Sequence, residues 1–114
     1  MSYSIISTPV FKKEAKRLCK RYTTLIDELA LLEKDLENNH EQGVDLGDNV
    51  YKIRIAIKSK GKGKSGGGRV ITYIITEDLE VYLLYLYDKS ELSNIDDKTL
   101  RNLINEIRAL KQSK

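Results

Sequence analysis

The 114-residue chain has no tryptophan, and only one cysteine, one histidine, one proline and one phenylalanine. A single cysteine, Cys19, rules out an internal disulfide and suits a reducing cytoplasm. With no histidine close by in sequence, Cys19 reads as a structural thiol rather than a nucleophile. His40 sits in a polar, turn-rich stretch and reads as an ordinary surface residue. Asp45, Asp48, Asp88 and Glu91 lack metal-ligand spacing, so neither a metal nor a cofactor is expected. No 18-residue apolar run exists, so no spanning helix is expected. Met1-Ser2-Tyr3-Ser4 offers neither a charged n-region nor an apolar h-region, which predicts no signal peptide and a cytoplasmic location. The shortage of aromatics leaves packing to Leu, Ile and Val. Seven of the eight aromatics are tyrosines, which bring polar tips to buried or binding surfaces.

The most informative shortage is of negative charge. Between Asn49 and Thr76 there is no acidic residue, against seven cations: Lys52, Arg54, Lys58, Lys60, Lys62, Lys64 and Arg69. The remainder holds 13 basic and 17 acidic residues, so the net charge of +3 hides a +7 segment on an acidic body. Charge separated in this way implies a polyanionic partner.

The length fits one domain spanning residues 1–114. Ser4–Ser7 is β-prone. Thr8-Pro9 reads as an N-cap and first helical residue, followed by Phe11, Ala15, Leu18 and Tyr22 at helical spacing. Lys12, Lys13, Lys16, Arg17, Lys20 and Arg21 occupy the other sides of that helix. Thr23-Thr24 breaks and recaps the chain. Leu25, Leu29, Leu32 and Leu36, broadened by Ile26, predict a second helix antiparallel to the first. Asn38 to Asn49 reads as turn.

Val50 to Lys58 alternates strictly, with Tyr51, Ile53, Ile55 and Ile57 on one face and Lys52, Arg54 and Lys58 on the other. A glycine–lysine loop, Ser59–Gly68, leads into a second strand, Arg69 to Thr76. Glu77-Asp78 turns the chain into Val81 to Tyr87, apolar enough for a strand covered on both faces. Asp96 or Asp97 caps a last helix carrying Leu100, Leu103, Ile104, Ile107 and Leu110 on one face. The predicted order β-α-α-β-β-β-α describes an α+β domain with an antiparallel meander.

Gly61-x-Gly63-x-x-Gly66 spells a dinucleotide fingerprint, and Gly63-Lys64-Ser65 resembles the end of a phosphate-binding loop. Both motifs open a helix, whereas a strand follows here, so neither is assigned. What stands is a cationic loop whose glycines let backbone amides approach phosphates. Lys52 and Arg54 on one strand, with Arg69 and Tyr73 on the next, form a sheet face suited to holding phosphate and stacking a base.

The run Asn49-Val-Tyr-Lys-Ile-Arg-Ile-Ala-Ile-Lys through Ser65-Gly-Gly-Gly-Arg-Val-Ile-Thr-Tyr resembles the middle of RelE/HigB-like toxins of the RelE/ParE superfamily, members of type II toxin–antitoxin pairs. Tyr82-Leu-Leu-Tyr-Leu-Tyr-Asp-Lys-Ser-Glu resembles the strand and turn that follow in that family. The resemblance implies a RelE-like fold, with an N-terminal strand and two-helix hairpin on an antiparallel sheet and a C-terminal helix. It implies a metal-independent ribonuclease that cuts mRNA in the ribosomal A site through 2′-OH attack. Its partners would be a cognate antitoxin, the ribosome and mRNA. By motif position, Lys52 and Arg54 match the family's basic strand pair, Arg69 the phosphate-binding arginine, and Lys89 a basic residue of the turn. Lys58, Lys60, Lys62 and Lys64 would bind RNA. RelE carries a tyrosine shortly after that turn, and Ser93-Asn-Ile-Asp has none. Tyr73 and Tyr87 are the candidates to orient or stack the base in its place. The general base stays open, with Lys52 as candidate if neighbouring cations lower its pKa. Two alternatives stand beside it: non-catalytic binding to RNA or the ribosome, which the charge pattern alone allows equally well, and gyrase inhibition on a ParE-like version of the fold, against which Arg54, Arg69 and Lys89 argue.

Overall fold

Thr8 starts the first helix as its sequence position predicts. Its Oγ1 accepts a hydrogen bond from the Phe11 N–H at 3.1 Å, and Pro9 occupies the first turn. The same hydroxyl donates to the Leu83 carbonyl at 3.0 Å, so the cap also ties the helix to the sheet. The computed structural model describes residues 2–57 and 67–112. In chain order the elements are β1 (Ser4–Ser7), α1 (Pro9–Arg21), α2 (Leu25–Asn38), β2 (Val44–Gly47), β3 (Val50–Ile55), β4 (Gly68–Ile75), β5 (Glu80–Asp88) and α3 (Asp97–Gln112). A short 3-10 turn, Thr76–Asp78, joins β4 to β5.

The sheet runs β1-β5-β4-β3-β2. From β2 to β5 neighbours are antiparallel, and β1 adds to β5 in parallel, so the meander becomes a mixed sheet. The expected order lacked one strand. Val44–Gly47, read as turn, pairs with β3 as an edge strand. Its residues are all exposed, so it carries no buried face for alternation to reveal. The reversal is made by Gly47, Asp48 and Asn49, all with positive φ, a region that glycine and short polar side chains tolerate.

Buried residues fall into two clusters. Phe11, Leu18, Leu25, Leu29, Leu32 and Leu36 of the helical hairpin pack on Ile53, Ile55, Val70, Ile74, Val81, Leu83 and Leu86. Leu103, Ile104 and Ile107 of α3 pack on Val50, Ile71, Tyr73, Leu84 and Tyr87. A register shift explains how β5 serves both. Ile71 pairs with Tyr85 and Thr72 with Leu83, leaving Leu84 as an extra residue. This bulge changes the alternation, so Leu84, Tyr85 and Tyr87 join the α3 side while Leu83 and Leu86 join the hairpin side. Asp96 caps α3 by accepting from the Thr99 N–H at 2.7 Å. Ile26 and Leu110 depart from expectation: at 58% and 68% exposed they lie outside the stripes they were expected to extend. No described helix is long and apolar enough to cross a membrane.

Candidate active site

Antiparallel pairing turns the alternating cationic strand into a cluster. Arg54 of β3 stands directly opposite Arg69 of β4, and Arg69 stands opposite Tyr87 of β5. The three therefore form a row across three strands, where neighbouring Cβ atoms lie about 4.5–5.5 Å apart. Lys52 begins the next row on the same face, opposite Ile71, which in turn pairs with Tyr85. Lys89 follows β5 directly, and its N–H donates to the Gly67 carbonyl at 3.1 Å, which holds it against the start of β4. Gly67 is required there, because a Cβ would lie 2.4 Å from the Ile55 carbonyl oxygen. The four cations expected in the chemistry thus gather where β3 and β5 end and β4 begins.

Their surroundings differ. Arg54 is exposed, whereas Arg69 is 4% exposed and donates from Nη1 to the Gly68 carbonyl at 3.0 Å. Tyr87 is buried, and burial pushes its phenol pKa upward against the opposing effects of the Arg69 charge and a backbone hydrogen bond from Ile95. The phenol stays protonated at neutral pH and acts as a donor. Like charges directly opposite one another oppose sheet formation. A fold that keeps such a pair departs from local consistency, which natural proteins do chiefly at functional sites.

Asn94, which sequence reasoning missed, stands beside the cationic row. Its Oδ1 accepts from Lys52 Nζ at 3.4 Å and from the Tyr87 hydroxyl at 3.5 Å, both at the long end of hydrogen bonding. The available signal was the gap itself. Asn94 is the amide in the stretch that lacks the expected tyrosine.

The profile of the RelE toxin of the RelE/RelB toxin–antitoxin system matches residues 7–113. The chain belongs to the RelE toxin family. Among solved structures, the free-state E. coli toxin RelE, carrying two arginine-to-alanine substitutions, matches with a TM-score of 0.63. The match covers 94% of this chain and 99% of that one at 14% identity, a likeness of fold.

Within this RelE-family chain, Tyr73 stands apart from the row. It pairs with Val50 and Tyr82, four residues along β4 from Arg69, or about 13 Å at strand spacing. It is 7% exposed in the α3 cluster, and its hydroxyl accepts from Arg108 Nε at 3.3 Å. Lys58, Lys60, Lys62 and Lys64 lie outside the described residues. The basic side of α1 is partly engaged. Arg17 holds Glu91 through two hydrogen bonds at 2.9 and 3.1 Å, and Arg21 Nη1 lies 3.2 Å from the same carboxylate. The Arg17 hydrogen bond holds the Glu91 carboxyl below its ordinary value. Burial pushes the Cys19 thiol upward, away from the thiolate form that a nucleophile needs. His40 stacks on Tyr3 with ring centroids 4.0 Å apart.

Proposed function

We propose that this RelE-family toxin is a ribosome-dependent endoribonuclease that cuts mRNA in the A site without a metal. The observation that carries this reading is the direct opposition of Arg54 and Arg69 in a segment free of acids, with Lys52, Tyr87 and Asn94 beside it. A ribose 2′-oxygen attacks the adjacent phosphorus as its proton leaves. The bond from phosphorus to O5′ breaks, and O5′ takes up a proton. The products are a cyclic phosphate and a 5′-OH end.

That reaction gathers negative charge on the non-bridging oxygens. Preformed positive groups stabilise such charge best where water is excluded. Arg54 is exposed and reaches the phosphate with its planar donor fork. Arg69, buried beside it in the row, supplies positive potential from a site of lower dielectric. Lys52, as the neutral amine, takes the 2′-OH proton; its Nζ is placed by Asn94, whose Oδ1 also accepts from the Tyr87 phenol. Lys89, at the end of β5, donates to the leaving O5′.

Membership of this family implies an antitoxin partner, and action on ribosomes would put the protein in the cytoplasm. The test is to add purified protein to programmed ribosomes and, separately, to naked RNA. The expected result is scission on programmed ribosomes only, with cyclic phosphate and 5′-OH ends. Ribosome binding with intact message would make the protein a non-catalytic binder. Intact message together with inhibited supercoiling would point to gyrase.

A further inference from the structure

The turn after β5 is held from the opposite side of the molecule. Asp88 closes β5 and is fully buried, a costly place for a carboxylate unless its oxygens are occupied. Its Oδ2 accepts from the Tyr22 hydroxyl at 3.0 Å, and Tyr22 is the residue that ends α1. Its Oδ1 accepts from the Ser90 N–H at 3.0 Å and the Ser90 hydroxyl at 2.8 Å. Its carbonyl accepts from the N–H groups of Glu91 and Leu92 at 2.9 and 3.1 Å. One turn of chain further on, Glu91 is gripped by Arg17 and Arg21 of α1. Between these anchors sits Lys89, and just beyond them Asn94 reaches Lys52 and Tyr87.

We infer that Tyr22, Asp88 and the Arg17–Glu91 pair form a positioning clasp, through which α1 sets the placement of Lys89 and Asn94 against the cationic row. This rests on the nuclease reading for its kinetic consequence and on geometry alone for its structural one. None of the clasp residues belongs to the cationic row of Arg54, Arg69 and Tyr87. They are positioning residues, and they act by fixing the backbone that carries Lys89 and Asn94. A displacement of about 1 Å at reacting groups is enough to cost as much as a hundredfold in rate.

The experiment compares the full chain with Tyr22→Phe, which removes one hydroxyl and keeps the ring. In the free protein, the Lys89 backbone amide and the Asn94 side-chain amide are followed by NMR. On programmed ribosomes, single-turnover cleavage and its dependence on ribosome concentration are measured below the melting transition. The clasp predicts shifts of both amide signals, a cleavage rate lowered about tenfold, and half-saturation changed by less than about twofold. Should Tyr22→Phe fail to fold, Glu91→Gln carries the same measurements, because an exposed ion pair contributes little to stability. Unmoved Lys89 and Asn94 signals, or a lowered melting temperature with an unchanged cleavage rate, would overturn the clasp. If the wild type cleaves neither substrate, the nuclease reading fails, and the amide signals still decide whether the clasp exists.

Discussion

Arg54→Gln separates function from stability in opposite directions. Arg54 and Arg69 face each other across an antiparallel pair, and like charges so placed destabilise by about 0.2–1 kcal/mol. Glutamine keeps most of the aliphatic stem and a donor while removing the charge. The folded state should therefore gain up to about 1 kcal/mol, which raises the melting temperature by about 1–4 °C for a chain of this size. The cause is Coulombic and Arg54 is exposed, so salt should screen it. The gain should fade between about 0.1 M and 1 M salt, as the screening length drops from about 10 to about 3 Å. On the proposed mechanism the same variant loses a charge that stabilises the breaking phosphate, and cleavage on programmed ribosomes should slow about 10²–10³-fold. The assay pairs melting curves at two salt concentrations with single-turnover cleavage. A variant that is less stable than the wild type would refute the repulsion. One that is more stable and cleaves at the wild-type rate would refute the catalytic role.

Three further outcomes follow from named contacts. Glu91 is held below its ordinary pKa, so its pairing stabilises the fold above that ordinary value and is lost as pH falls through its folded value. The difference in melting temperature between wild type and Glu91→Gln should therefore close as the pH is taken below about 4. Thr72 is fully buried at the β4–β5 bulge, and its Oγ1 has no hydrogen-bond partner among the described residues. Thr72→Val should stabilise by about 1 kcal/mol in urea unfolding, by removing an unpaired buried hydroxyl. Gly67→Ala places a Cβ 2.4 Å from the Ile55 carbonyl and should cost about 1–3 kcal/mol. It should also speed exchange of the Lys89 amide that bonds to Gly67.

Local periodicity carried much of the architecture. The alternation in β3 assigned Ile53 and Ile55 to the core and Lys52 and Arg54 to the other face, because successive side chains of a strand must point oppositely. Thr8, Pro9 and the pair Asp96-Asp97 marked helix starts, because orphaned N–H groups there need short acceptors or no hydrogen at all; the fold chose Asp96 of the pair. Composition alone located the cationic segment. The tertiary structure decided what those patterns leave open, since periodicity names a face but not what covers it. Parallel addition of β1 to β5 joins residues far apart in sequence and leaves no local mark. The edge strand β2 buries nothing, so no apolar pattern announces it. Tyr73 and Arg69 alternate alike along β4, yet α3 covers Tyr73, whose hydroxyl pairs with Arg108 rather than facing the row. Asn94 gains its place only when an irregular link folds back over the sheet. Local bonds from Asp88 turn the start of that link, and the long-range contacts of Asp88 with Tyr22 and of Glu91 with Arg17 anchor it to α1.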